Sequence, residues 1–267
     1  MKIKSEIIFL TFSMIILVAC ESEEIISPDV GFKEYTVVQA EIQPDKLFPA
    51  VRFTKTLPLG VPYDIKDAEL KNVTAYLVKN EVQVIPLFYT ANGLYKTKYD
   101  LYVNEGEIYE LYAESEGKFI YGKTTIPHKP NVISVSYDIN GYYFDADVQA
   151  EPEEVYGALW IVSGIPPVRA EDYFTVTIPS SDPNNMVAVR TSSIPEEYRK
   201  PIYSGNRYIQ VFSFDKSFRN YFYSRTSGQE INDPFIQGGS AVEWNMQGEN
   251  VIGMFIGVAP GDIINVN

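Results

Sequence analysis

Short runs of alternating apolar and polar residues recur from residue 35 onward, with turn residues between them. Period-two alternation is what a strand needs when one face is buried and the other meets water. The first run is 35–42, and a stretch carrying Pro44, Pro49, Pro58 and Pro62 then reads as a loop. Runs at 73–78 and 82–89 flank Lys79-Asn80-Glu81, a candidate tight turn. Asn92-Gly93 is a stronger signal, because both central residues of a type I′ turn need positive φ. Tyr95, Thr97, Tyr99 and Leu101 alternate with Lys96, Lys98 and Asp100, which predicts a strand over 95–101. Runs at 108–114 and 118–125 are joined around Glu116-Gly117. In the first of them Tyr109, Leu111 and Ala113 share a face opposite Glu110, Tyr112 and Glu114.

Ile126-Pro127-His128-Lys129-Pro130 then interrupts the pattern, and two prolines so close make a stiff connector. A β-sandwich is therefore expected over 34–127, a Pro-rich linker over 128–131 and a second β-rich domain over 132–267. That second part opens on runs at 132–139 and 142–150 around Asn140-Gly141, again a type I′ pair. Further strands are predicted at 159–163, 174–178 and 208–214, with loops at 166–167, 180–185 and 193–201 and a helical turn at 196–199. Asp215 looks like an N-cap. Phe218, Tyr221, Phe222 and Arg225 follow at helical spacing, with Gly228 placed to end the helix. Strands at 241–245 and 250–258 close the chain. The fold class is thus mostly all-β, an immunoglobulin-like or transthyretin-like sandwich followed by a β-rich part with one short helix.

The first residues change the picture from fold to place. Lys2 and Lys4 precede an apolar run over 7–18, broken only by Thr11 and Ser13. This is too short to cross a bilayer, where a helix needs about 20 residues, and fits a secretory signal. It ends at Leu17-Val18-Ala19-Cys20, which resembles the lipobox of bacterial lipoproteins. The resemblance implies that residues 1–19 form a signal peptide cut between Ala19 and Cys20, and that the sulfur of Cys20 carries acyl chains, palmitate among them. Stable anchoring needs more than one chain, and lipoprotein cysteines carry two or three. Glu21, Ser22, Glu23 and Glu24 follow, within an acidic tether over 20–33. Such a cluster resembles the surface-export signal of Bacteroidetes-type lipoproteins. The expected location is the outer membrane, lipid-anchored, at the cell surface.

The whole chain carries a net charge of −13, and removing residues 1–19 takes it to −14. So acidic a surface repels phosphate backbones and anionic headgroups, which excludes nucleic acid as a partner. Cys20 is the one cysteine, so no internal disulfide forms and an apolar core must supply stability. The 20 tyrosines and 15 phenylalanines suit half-buried pleated surfaces.

Catalytic residues are scarce. His128 is the one histidine, placed in the connector where solvent exposure is expected, and no Gly-x-Ser-x-Gly elbow occurs. Ser-His-Asp or Cys-His chemistry would have to pass through it. Zinc lacks the cysteines or second histidine it needs. Asp138, Asn140, Asp145 and Asp147 cluster on one hairpin, and Asp182 with Asn184 lies in a loop. These oxygen ligands suit calcium, but their spacing matches no calcium loop and reads as ordinary turn chemistry. Asp145 and Asp147 share a strand face at a separation compatible with glycoside hydrolysis. Tyr142-Tyr143-Phe144 and Tyr221-Phe222-Tyr223 read as core packing rather than as sugar platforms. Asn72-Val73-Thr74 has the form of a glycosylation sequon, but it falls in a predicted strand and the lipobox-like leader suggests a bacterium, so it is discounted. No cofactor is expected, and the chain reads as non-enzymatic.

The order of these pieces resembles a Bacteroidetes-type family of outer-membrane lipoproteins carrying a domain of unknown function, the family numbered four thousand two hundred and forty-nine. The matching parts are Cys20 with its acidic leader, Asn92-Gly93-Leu94-Tyr95, Gly106-Glu107-Ile108-Tyr109-Glu110-Leu111 and Thr124-Thr125-Ile126-Pro127. The helix after Phe214 and Asn250-Val251-Ile252-Gly253-Met254-Phe255 complete the set. The tail from Gly238-Gly239-Ser240 through Gly257 departs from the commoner ending. The resemblance implies genes beside TonB-dependent receptors and brings no established activity. The expectation is an accessory or ligand-binding component of an envelope or TonB-dependent uptake complex, with a small-molecule or glycan ligand. The alternatives are a carboxylate-dependent carbohydrate-active enzyme and a structural or adhesive surface protein.

Overall fold

A computed structural model describes residues 32–58, 60–162, 168–169, 174–177, 186–200, 207–227 and 242–266. The signal, Cys20 and most of the tether lie outside these residues, as do Asp182, Asn184 and Gly228. Residues Glu34–Asn267 form one compact unit, and it is all-β with a sandwich-like build.

The strands of the first half are β1 (Thr36–Ile42), β2 (Val51–Lys55), β3 (Thr74–Lys79), β4 (Gln83–Tyr89), β5 (Leu94–Thr97), β6 (Ile108–Ser115) and β7 (Lys118–Thr125). The second half adds β8 (Asn131–Asp138), β9 (Tyr143–Gln149), β10 (Glu154–Val162), β11 (Val168–Arg169), β12 (Phe174–Thr177), β13 (Met186–Arg190), β14 (Arg207–Asp215), β15 (Met246–Gly248) and β16 (Val251–Asn265). Helices are α1 (Ile65–Ala68), a 3-10 turn at Glu196–Tyr198, and α2 (Phe218–Ser227). The large sheet runs β11-β10-β14-β16-β1-β2-β5-β4-β3-β6-β7-β15 with β12 beside β10, and β13-β9-β8 make a second sheet.

β16 joins the two halves. Its residues from Val251 to Gly257 pair parallel with β1, and those from Val258 to Asn265 pair antiparallel with β14. Gly253 lies opposite Val38 with φ +122°, and a Cβ there would meet the Val38 carbonyl oxygen at 1.9 Å, so only glycine fits. At the far end of the order β15 pairs with β7. The Gly257 amide donates to Thr124 Oγ1 of β7 at 2.8 Å. Asn245 bonds both main-chain groups of Phe255, at 2.6 and 2.9 Å. The rolled sheet thereby closes around a core of Val38, Phe53, Leu77, Tyr95, Leu111, Ile120 and Phe255. A second core, with Phe144, Tyr156, Trp160, Val211, Phe214 and Phe222, lies between β9, β10, β14 and α2. Each fully buried aliphatic or phenyl side chain contributes about 1.5–3 kcal/mol.

The tight turns follow the sequence. Asn80 and Glu81, Asn92 and Gly93, and Glu116 and Gly117 all have positive φ. Five local expectations need correction. The proline-rich stretch is not one loop: it holds β2, whose Val51 and Phe53 are fully buried, and α1. β5 stops at Thr97, where the Thr97 hydroxyl donates to the Tyr99 carbonyl, because the chain beyond pairs with 45–48 instead. Asn140-Gly141 is not a type I′ pair. Asp138 accepts the amides of Asn140 and Gly141 at 2.7 and 3.2 Å, and the positive φ falls on Tyr142. The strand expected at 241–245 is instead β15, and β13 forms where no strand is expected. β16 runs past residue 258 to Asn265, tolerating Pro260 because the register with β14 shifts between Gln210 and Phe212.

The connector at 127–130 is braced by hydrogen bonds. His128 donates its amide to Glu154 Oε1 at 2.7 Å, and the Ser213 hydroxyl donates to its carbonyl. Asp215 stands at the entry to α2 and accepts an amide two residues on, as an N-cap side chain does. Its Oδ1 takes the amide and hydroxyl of Ser217, at 2.9 and 2.5 Å. Its Oδ2 reaches across to the Thr125 amide at 2.8 Å.

Candidate interaction face

In β3, β4, β6 and β7 the inward positions are apolar: Ala75 and Leu77, Leu87, Leu111 and Ala113, and Ile120 are all buried. Alternation then sends the intervening residues to the opposite face of the sheet. On β3, Tyr76 pairs with Pro86 of β4 on one side and Tyr112 of β6 on the other. Tyr112 in turn pairs with Tyr121 of β7. A single transverse row, Pro86-Tyr76-Tyr112-Tyr121, therefore crosses four strands on the outer face.

The adjacent rows extend the patch. Glu114 pairs with Phe119, and Val78 pairs with Val84 and with Glu110. Val84, Phe119 and Phe88 are 63%, 58% and 50% exposed. The rings contact one another. Tyr76 and Tyr112 stack at 5.3 Å with planes 10° apart, and Tyr112 meets Tyr121 at 5.1 Å and Phe119 at 6.2 Å. Cross-strand aromatic pairs of this kind stabilise a sheet and order its surface. Burial, with the Glu110 carboxylate it donates to, pushes the Tyr121 hydroxyl up to about 12, so it stays a hydrogen-bond donor.

Charge flanks the tyrosine row. Glu110 pairs with Lys123 at 3.3 Å, and Lys123 also lies 3.7 Å from Glu81. Glu114 and Glu116 are exposed near Phe119, and Lys96, opposite Phe88, is exposed beyond β4. Where β5 has left β4, a pocket of about 190 Å³ opens against Pro86 and Phe88, lined also by Ile85, Tyr99 and Leu101. Proline is tolerated in β4 here, because its missing N–H costs nothing on a side that carries no partner strand.

The platform is held in register at one end by Glu107. Its oxygens accept from Lys79 Nζ and Asn104 Nδ2 at 2.7 Å, from Tyr109 Oη at 2.8 Å and from the Asn104 amide at 3.0 Å. Burial alone would raise this carboxyl. The Lys79 ammonium and the Asn104 donors outweigh it and hold the group at about 2.

A second concavity, of about 270 Å³, lies at the connector between Pro127, His128, Glu154 and Asp215. The His128 ring is 51% exposed, as expected of a connector residue, yet Nδ1 lies 2.9 Å from Oε1 of the buried Glu154. That hydrogen bond raises the His128 pKa, while burial pushes the Glu154 carboxyl up. Tyr156 donates to Glu154 Oε2 at 2.9 Å. Main-chain amides of His128, Thr125 and Ser217 occupy both carboxylates, so the cluster braces the junction.

The carboxylates singled out by sequence are engaged within their own sheet. Asp145 forms a bidentate pair with Arg190 at 2.8 and 3.1 Å, and Asp147 accepts from Ser134 Oγ at 2.6 Å. Asp138 takes two amides and the Tyr143 hydroxyl, and Asn140 lies in that turn. Among the described residues no group of three or more His, Cys, Asp or Glu side chains could hold a metal. Of the aromatic runs, Phe144 and Phe222 are buried, and Tyr142 and Tyr143 lie under Arg199 and Arg190, each at 3.9 Å. The aromatic row on β3, β6 and β7 was not singled out. Each residue is visible on the polar side of its strand, but their alignment depends on register across four strands. No family model matches the chain, and no curated protein matches it.

Proposed function

We propose that this chain is a non-enzymatic lipoprotein, anchored through Cys20 to the outer membrane at the cell surface. It serves as an accessory or binding component of an envelope complex, such as a TonB-dependent uptake system. The observation that carries the binding role is the row Pro86-Tyr76-Tyr112-Tyr121, with Phe88 and Phe119 half exposed beside it. Contiguous exposed apolar patches with a polar rim mark sites of association on soluble bodies. Tyrosine and phenylalanine are enriched at the centres of such sites. The leader supports the location, since the Leu17-Val18-Ala19-Cys20 pattern and the acidic residues after it fit a tethered body. The acidic charge keeps that body off anionic headgroups, leaving its faces open to a partner.

Affinity purification from native envelopes in mild detergent tests this reading. The parent chain should bring down a defined component that a Tyr76→Ser, Tyr112→Ser chain of equal melting temperature does not. Recovery of the parent protein alone would overturn it.

A further inference from the structure

From the aromatic face we infer the class of its occupant: a protein surface with a bulky apolar anchor ringed by lysine or arginine, rather than a glycan or a second copy of this chain. The inference rests on the face being the binding surface, as proposed above. Geometry argues against sugar. Sugar rings stack on bared aromatic faces, but Tyr76 and Tyr112 stack on each other with planes 10° apart, and Tyr121 crowds the Tyr112 ring from the next strand at 5.1 Å. What reaches solvent beside them is Val84, Phe88 and Phe119, a surface suited to apolar side chains.

Charge argues against self-association. Glu81, Glu110, Glu114 and Glu116 outnumber Lys123 and Lys96 around the patch, Lys123 is already shared between Glu110 and Glu81, and the chain as a whole carries −13. An isologous contact would bring these carboxylates against their own copies. A basic rim complements them and speeds encounter. The pocket of about 190 Å³ beside Pro86 and Phe88 has room for one large apolar side chain of that partner. Deep, desolvated anchors of this kind dominate interface energetics.

Panning a library of random displayed peptides against the full acylated chain tests the assignment, with a glycan array and sedimentation run in parallel. The parent chain should enrich peptides that combine a bulky apolar residue with Lys or Arg. Tyr112→Ser should weaken their binding about ten-fold or more. Glu114→Lys should weaken it by a few-fold, more at low salt than at high. Phe119→Ser serves if Tyr112→Ser fails to fold. Enriched peptides that are acidic or indifferent to charge would overturn the assignment. So would Tyr112-dependent binding on the glycan array or Tyr112-dependent dimerisation, although either would leave the face itself as the binding surface. Equal behaviour of parent and both variants in all three assays would overturn the assignment and the binding role of the face together.

Discussion

Two outward sheet faces of this protein solve the same problem in opposite ways. On β13-β9-β8 the outward rows are Ser136-Asp145-Arg190, Ser134-Asp147-Ala188 and Asn131-Gln149-Met186. Their polar groups pair within the sheet: Asp145 with Arg190, Asp147 with Ser134, Asn131 with Gln149. On β4-β3-β6-β7 the equivalent rows carry proline, three tyrosines, a phenylalanine and two valines, with Glu110, Glu114 and Lys123 in the rows to either side of the tyrosines. A solvated face that is closed on itself has little reason to attract a partner. A face that leaves aromatic rings half exposed in so acidic a chain carries a cost in water that docking of a partner would remove.

Exchanging residues between the faces should expose the difference, and the largest effect is expected on binding. Tyr76→Ser with Tyr112→Ser should lower co-recovery of an envelope partner at least ~100-fold, a hot-spot effect. Asp145→Asn with Asp147→Asn should leave it unchanged; quantitative mass spectrometry of the purified complexes reads both. Next comes the clasp beneath the aromatic face. Glu107 has a folded pKa of about 2 against an ordinary value of 4.5, and its side chain is only 13% exposed. A depressed carboxyl stabilises the fold above its unfolded pKa and loses that contribution as pH falls through the folded one. Glu107→Gln should therefore cost about 2–3 kcal/mol at neutral pH. The gap to the parent should narrow between pH 4.5 and about 2, as followed by urea unfolding across pH.

Smaller again is the rim. Glu114→Lys should slow association by a few-fold at low salt and by much less at high salt, measured by surface-immobilised kinetics. The smallest effect belongs to the polar face, where Ser134→Ala should leave both binding and melting temperature indistinguishable from the parent. Exposed substitutions away from special features rarely shift stability by more than about 0.5 kcal/mol.

Much of the fold was legible because each strand reports its own burial. Tyr109, Leu111 and Ala113 against Glu110, Tyr112 and Glu114 read correctly from spacing alone, and three hairpin turns were given by Asn80-Glu81, Asn92-Gly93 and Glu116-Gly117. Local turn and strand signals misled where another contact overrode them. Asn140-Gly141 yields its turn geometry to the Asp138 carboxylate. The alternation at 95–101 is cut short because residues 101–103 pair with 45–48. The candidate site was legible least of all. Tyr76, Tyr112 and Tyr121 are far apart in sequence, and only pairing across β3, β6 and β7 makes them neighbours. His128 shows the converse, since its exposure was foreseeable but its bond to Glu154, 26 residues away, was not.

Photo-crosslinking in living cells addresses the contrast between the faces most directly. A benzoylphenylalanine at position 119 samples the aromatic face, and one at position 188 samples the polar face. A defined envelope protein crosslinked from 119 and absent from 188 is the expected result. Equal crosslinking from both positions, or crosslinking from 188 alone, would contradict the assignment of the aromatic face as the site of docking.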